Sequence, residues 1–139
     1  MVTIDELLVQ YQTATRGMEP RVLRPLLEGL QEVSPSIEAA QITQEATVAP
    51  LRWRVTLVTS LGLAILHTRY DGPVGTCTVE AALHDWRSVA RVELTFKEGF
   101  GGLLEWRLNL GHPQLTVSDR DDTKTRAVAA AILRHMSPN

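Results

Sequence analysis

The sequence predicts an α+β protein: an N-terminal helix pair, an antiparallel sheet or partly open barrel of about seven strands, and a C-terminal capping helix. Three observations carry this. Apolar residues recur at helical spacing up to residue 34 and again near the C-terminus. Between those stretches the apolar period drops to two. The alternating runs are joined by short segments rich in Gly, Pro and Asp, which suit hairpins rather than helical crossovers.

The first helix is read from Ile4, Leu7, Leu8 and Tyr11, one stripe at i, i+3, i+4, i+7. Thr3 and Glu6 have the spacing of a capping box, in which a hydroxyl and a carboxylate satisfy orphan N–H groups. Gly17 is the expected stop. Leu23, Leu26, Leu27 and Leu30 repeat the stripe in a second helix, where Pro25 is expected to break or restart the first turn. Ser34-Pro35-Ser36 closes the helical part.

The strands follow. Residues 37–46 are read as a first strand, and Leu51, Trp53, Val55 and Leu57 alternate with Arg52, Arg54 and Thr56 in a second. "GLAILHTRY", from Gly62, is apolar on both faces in its first half, as a central strand would be. Asp71-Gly72-Pro73 is a turn. Cys77, Val79, Ala81 and Leu83 form the next apolar row, and the runs 92–96 and 104–110 flank the Gly-rich loop "EGFGG". Leu115 and Val117 make a short last strand. Thr125, Val128, Ala129, Ile132 and Met136 line one face of the closing helix, which is expected to start within a residue or two of Asp119.

The 139 residues fit one domain, with 1–34 helical and 37–136 holding the sheet and last helix. A net charge of −2 argues against a dedicated DNA-binding protein. Cys77 stands alone, so an intrachain disulfide and a multi-thiolate zinc site are excluded, and a reducing, cytoplasmic location is expected. No signal peptide is read at the N-terminus. The longest apolar run, Leu61 to Leu66, is far short of the ~20 residues a membrane span needs.

From Ile37 onward, seven short strands closed by an amphipathic helix resemble the bacterial pleckstrin-homology-like domains. The resemblance covers residues 37–136 and rests on element order. In it "DWRSVARVELTF" (Asp85 to Phe96) is the turn and fifth strand, "LLEWRLNL" the sixth, and "QLTVSDRDDTKTRAVAAAILRHM" the last strand and helix. It implies a non-catalytic binding scaffold. Phosphoinositide-binding members carry a basic first hairpin loop; here that loop is "TVAPLR", with Arg52 and Arg54 as the only basic residues at hand.

Few patterns point to chemistry. Asp119, Asp121 and Asp122 brush against a D-x-D-x-T phosphatase motif, but too little chain follows to build that domain. A calcium loop would need Gly and Glu where Lys124 and Ala130 stand. The aspartates are therefore read as a helix N-terminus, where carboxylates accept orphan N–H bonds. Cys77 with His67 or His84 as base and Asp85 as orienter is the one nucleophile arrangement available, but its place on an apolar row predicts a buried, inert thiol. The four histidines lack metal-ligand spacing. No catalytic, cofactor-binding or metal-ligating residue is assigned, and no enzymatic role is expected.

Partner contacts are expected at Arg52, Arg54 and Arg69 on the sheet and at Phe100 on the tip of the Gly-rich loop. The expected function is a non-enzymatic protein-binding or adaptor module, with a homodimer possible through the helices. The alternative is a nucleic-acid binder that uses Arg52, Arg54, Arg69, Arg87, Arg91 and Arg107 as a basic face. Glu93 and Glu105 share rows with Arg91 and Arg107 and offer them cross-strand ion pairs instead.

Overall fold

The computed structural model describes residues 1–15, 21, 23–34, 36–46, 48, 50–71, 76–98, 104–118 and 125–136. The elements run α1 (Ile4–Ala14), α2 (Leu23–Val33), β1 (Ile37–Ala46), β2 (Leu51–Thr59), β3 (Gly62–Asp71), β4 (Thr76–Asp85), β5 (Ala90–Glu98), β6 (Leu104–His112), β7 (Leu115–Ser118) and α3 (Thr125–Met136). The expected α+β class holds. The strands form two antiparallel sheets, β1-β2-β3-β4 and β5-β6-β7. As expected, β3 is central.

Local chemistry sets the element ends. The Thr3 hydroxyl accepts from the Glu6 N–H at 3.1 Å, which starts α1. The Thr15 hydroxyl donates to the Tyr11 carbonyl at 2.7 Å at its other end. The expected stop, Gly17, lies outside the described residues, as does the start of the last helix near Asp119. Pro25 does not break α2. It falls in the first turn, where an N–H has no intrahelical acceptor, so its missing donor costs nothing there. Between β2 and β3 the Thr59 hydroxyl donates to the Gly62 carbonyl (2.8 Å) and accepts from the Gly62 N–H (3.1 Å). Gly62 is obligatory at this point, because a Cβ would lie 2.2 Å from the His84 carbonyl oxygen.

Strand alternation divides the four-stranded sheet between two cores. On its outer face Ile42, Trp53, Val55, Leu57 and Leu66 pack against Leu7, Leu8, Tyr11, Leu23 and Leu27 of the helix pair. On its inner face Ala39, Val58, Leu63 and Ile65 meet the three-stranded sheet and α3. The partners there include Leu108, Leu110, Val117, Val128 and Ile132. Trp86, in the β4–β5 turn, anchors the closing helix. Its ring stacks on His135 with centroids 4.4 Å apart, and its Nε1–H donates to the Thr59 carbonyl at 3.0 Å. His135 in turn meets Glu38 of β1 at 2.8 Å.

Among the described residues no helix is long and apolar enough to cross a membrane.

Candidate functional site

The inner face of the four-stranded sheet is apolar only where the second sheet and α3 cover it. Further along the same strands the covered rows give way to charge. Register places Thr43, Arg54, His67 and Glu80 side by side across β1 to β4. The next row holds Ala46, Arg52, Arg69 and Thr78. An open groove runs along these two rows.

The groove has a wide section of about 550 Å³, lined by Glu45, Arg52, His67, Arg69, Thr78 and Glu80 among others. A narrower section of about 320 Å³ continues past Arg54, Ala82 and His84 to Pro113 and Gln114 in the β6–β7 turn. Both volumes fall within the range of ligand sites.

Each charged group has a specific setting. A register shift between Gln44 and Ala46 makes Glu45 the extra residue of a bulge. Its carboxylate then reaches past β2 to Nδ1 of His67 on β3, at 2.8 Å. Arg54 crosses between the sheets, its Nη2 donating to the Thr116 carbonyl at 3.3 Å. Its Nε is buried without a hydrogen-bond partner among the described residues, a rare condition for a buried donor. Arg52 and Arg69 are exposed and directly opposed. Like charges set opposite one another weaken strand pairing. Arg52 makes no hydrogen bond or ion pair among the described residues.

Of the residues the sequence singled out, Arg52, Arg54 and Arg69 are brought together on one surface. Phe100 lies outside the described residues. The other three arginines of the expected basic face lie off β2 and β3. Arg87 is exposed in the β4–β5 turn, and Arg107 is exposed on β6 of the second sheet. The side chain of Arg91 lies outside the described residues. On the second sheet Glu93 faces Asn109 and Arg107 faces Thr95, which sets Glu93 and Arg107 diagonally across the β5–β6 ladder.

Cys77 is half-buried rather than buried. It sits opposite Tyr70 on the outer face, whereas His67 and His84 lie on the inner-face rows. The sheet therefore separates the thiol from both imidazoles proposed as its base. His84 and His112 approach edge to face with centroids 5.7 Å apart. No group of three or more His, Cys, Asp or Glu able to hold a metal exists among the described residues.

Sequence reasoning missed Glu45, His67 and Glu80 as members of the groove. The signal for His67 and Glu80 was their place in the same alternating rows as the arginines. Glu45 could not be found that way, because the bulge that aims it leaves no trace in the period.

Tyr11 is the other polar feature missed. Its hydroxyl is 2.6 Å from the Thr68 hydroxyl and 2.6 Å from the Tyr70 hydroxyl, beneath the helix pair. Burial pushes both phenol pKa values up. This cluster pins α1 to β3 and belongs to the architecture.

No family model matches the chain, and neither does any curated protein or solved structure.

Proposed function

We propose that the protein is a non-enzymatic binding module that takes a polypeptide segment in the inner-face groove, as an adaptor would. The observation that carries this reading is the mixture of charge in one open groove. Arg52 and Arg69 stand beside Glu45 and Glu80, with His67 between the two carboxylates. A polypeptide offers donors, acceptors and both signs of charge at strand spacing, which such a lining complements. Arg52 and Arg69 would take a carboxylate of the partner in charge-assisted hydrogen bonds.

Nucleic acid is the second reading, favoured by the same arginines. Two features of the groove count against it. Glu45 and Glu80 repel a phosphate backbone, and among the described residues lining the groove there is no stacking tryptophan, tyrosine or phenylalanine. A pleckstrin-homology-like scaffold would suit either partner, since fold alone does not choose between them.

Fluorescence anisotropy separates the readings. The intact chain is titrated against labelled extended peptides, acidic and basic, and against single- and double-stranded DNA, each at two salt concentrations. The expected result is binding of acidic peptides, weakened at least about tenfold by Arg52→Glu, since a charge-assisted contact of this kind is worth about 1.5–3 kcal/mol. DNA that binds more tightly than any peptide, with affinity falling steeply as salt rises, would replace the first reading with the second.

A further inference from the structure

We infer that β4 is the surface through which two copies of this chain associate, pairing antiparallel about a two-fold axis at Ala82. The inference does not depend on what the groove binds.

A sheet edge exposes unpaired N–H and C=O groups, and proteins that stay single guard their edges with shortness, charge, bulges or cover. Three of the four sheet edges here are guarded. β1 carries two register irregularities and is bridged by Val2 at Ile37. β7 has only four residues. β5 carries Arg91, Glu93, Lys97 and Glu98 in nine residues. β4 is the exception. It runs ten residues, pairs only with β3 among the described strands, and has Glu80 as the sole formal charge before Asp85. Ala81, Ala82 and Leu83 are exposed along it, Leu83 to 42%.

The strand is also complementary to itself. In an antiparallel pair centred on Ala82, Glu80 of one copy opposes His84 of the other, twice by symmetry. A carboxylate opposite an imidazole hydrogen-bonds when the ring is neutral and pairs as ions when it is protonated. Ala82 meets Ala82 at the axis, where two small side chains allow close approach. Centring on Glu80 would instead oppose two carboxylates, and centring on Leu83 would set Glu80 against Trp86.

The outer face completes the fit. There Ala81 opposes Leu83 of the second copy. Beside them lies an apolar groove of about 310 Å³, walled by Pro25, Leu26 and Leu30 of α2 and by Leu66, Ala81 and Leu83 of the sheet. A two-fold axis perpendicular to the sheet keeps like faces on the same side. The two apolar grooves therefore merge beneath α2 and its copy, and the two charged grooves lie adjacent on the other face. An isologous interface of this kind closes at two subunits.

Sedimentation equilibrium across a wide concentration range, with cysteine cross-linking, tests this. The mass is expected to rise from 15.4 kDa to twice that value. Ala82→Cys is expected to form an intermolecular disulfide in high yield, because opposed residues lie within the ~4.4–6.8 Å Cα separation a disulfide spans. The native Cys77 is the internal control. In this register the two Cys77 residues stand ten positions apart, roughly 34 Å at strand rise, so the unaltered chain is expected not to cross-link. Leu83→Asp is expected to abolish the dimer with the circular dichroism of the fold unchanged. A monomer at every concentration would overturn the inference. So would a dimer that fails to cross-link through position 82, one that cross-links through Cys77, or one that survives Leu83→Asp.

Discussion

The two faces of the four-stranded sheet are made by alternate residues of the same strands, yet they do opposite work. The outer face is largely apolar along β1, β2 and β3 to the level of Trp53, and the Thr68 and Tyr70 hydroxyls beyond it both bond that of Tyr11 on α1. The inner face changes character midway. Val58, Leu63 and Ile65 are buried in the second core, while Arg52, His67 and Arg69, one or two rows on, stand in solvent. The first face holds the protein together. The second gives half its length to exposed charged groups, two of them directly opposed arginines. Surface that is costly or neutral for folding but geometrically ordered is where a binding role is most economically sought.

The sharpest way to break this comparison is a truncation on the outer face. Leu57 is completely buried between the sheet and the helix pair. Leu57→Ala leaves a cavity as well as losing transfer free energy, and is expected to cost about 3 kcal/mol. Urea denaturation followed by circular dichroism measures it. A loss below about 1 kcal/mol would mean that the helix pair is not a firm lid.

A smaller effect is expected at the hydroxyl cluster. Tyr11 and Tyr70 are the only two tyrosines in the chain. Tyr70 is pushed far above the ordinary tyrosine range, by burial first and by the Tyr11 hydroxyl second; Tyr11 is raised by burial. The fold therefore favours the neutral phenols. That contribution is complete below the unfolded tyrosine pKa of about 10 and is lost progressively as pH rises above it. Tyrosinate absorbance is expected to stay flat through that region while the protein is folded, and to rise together with the loss of circular dichroism. Absorbance that rises while the fold persists would show the phenols to be open to solvent. Tyr11→Phe removes one hydroxyl from two hydrogen bonds and is expected to cost about 1–2 kcal/mol at neutral pH.

The unequal legibility of the two faces has a physical cause. Periodicity reports burial, so the helix stripes, the strands and the central place of β3 could be read from apolar residues alone. The arginines of β2 and β3 were legible as one surface because alternation puts residues 52, 54 and 69 on the non-apolar row. What periodicity cannot report is cover. Cys77, Val79, Ala81 and Leu83 alternate as a buried row would, yet Leu83 is exposed because β4 is an edge and the helix pair leaves an open groove there. The same limit applies to Arg107, whose outward row gave no hint that it lies on a different sheet from Arg52. Pro25 shows the reverse case, in which a local rule was right but its position was decisive: in a first turn the missing N–H is not missed.

The smallest expected effect on stability bears most on function. Arg52 is exposed, makes no hydrogen bond or ion pair among the described residues, and faces another guanidinium across the β2–β3 ladder. Removing it sacrifices no bond and relieves a like-charge opposition. Arg52→Ala is therefore expected to leave the unfolding free energy within about 0.5 kcal/mol of the unaltered chain, with any change toward greater stability. The same variant is expected to weaken binding of acidic peptides in the anisotropy titration. Combining the two measurements on one protein separates what Arg52 does for folding from what it does for recognition. A destabilisation approaching that of Leu57→Ala would place Arg52 among the groups that hold the sheet together, and the division between the two faces would fall.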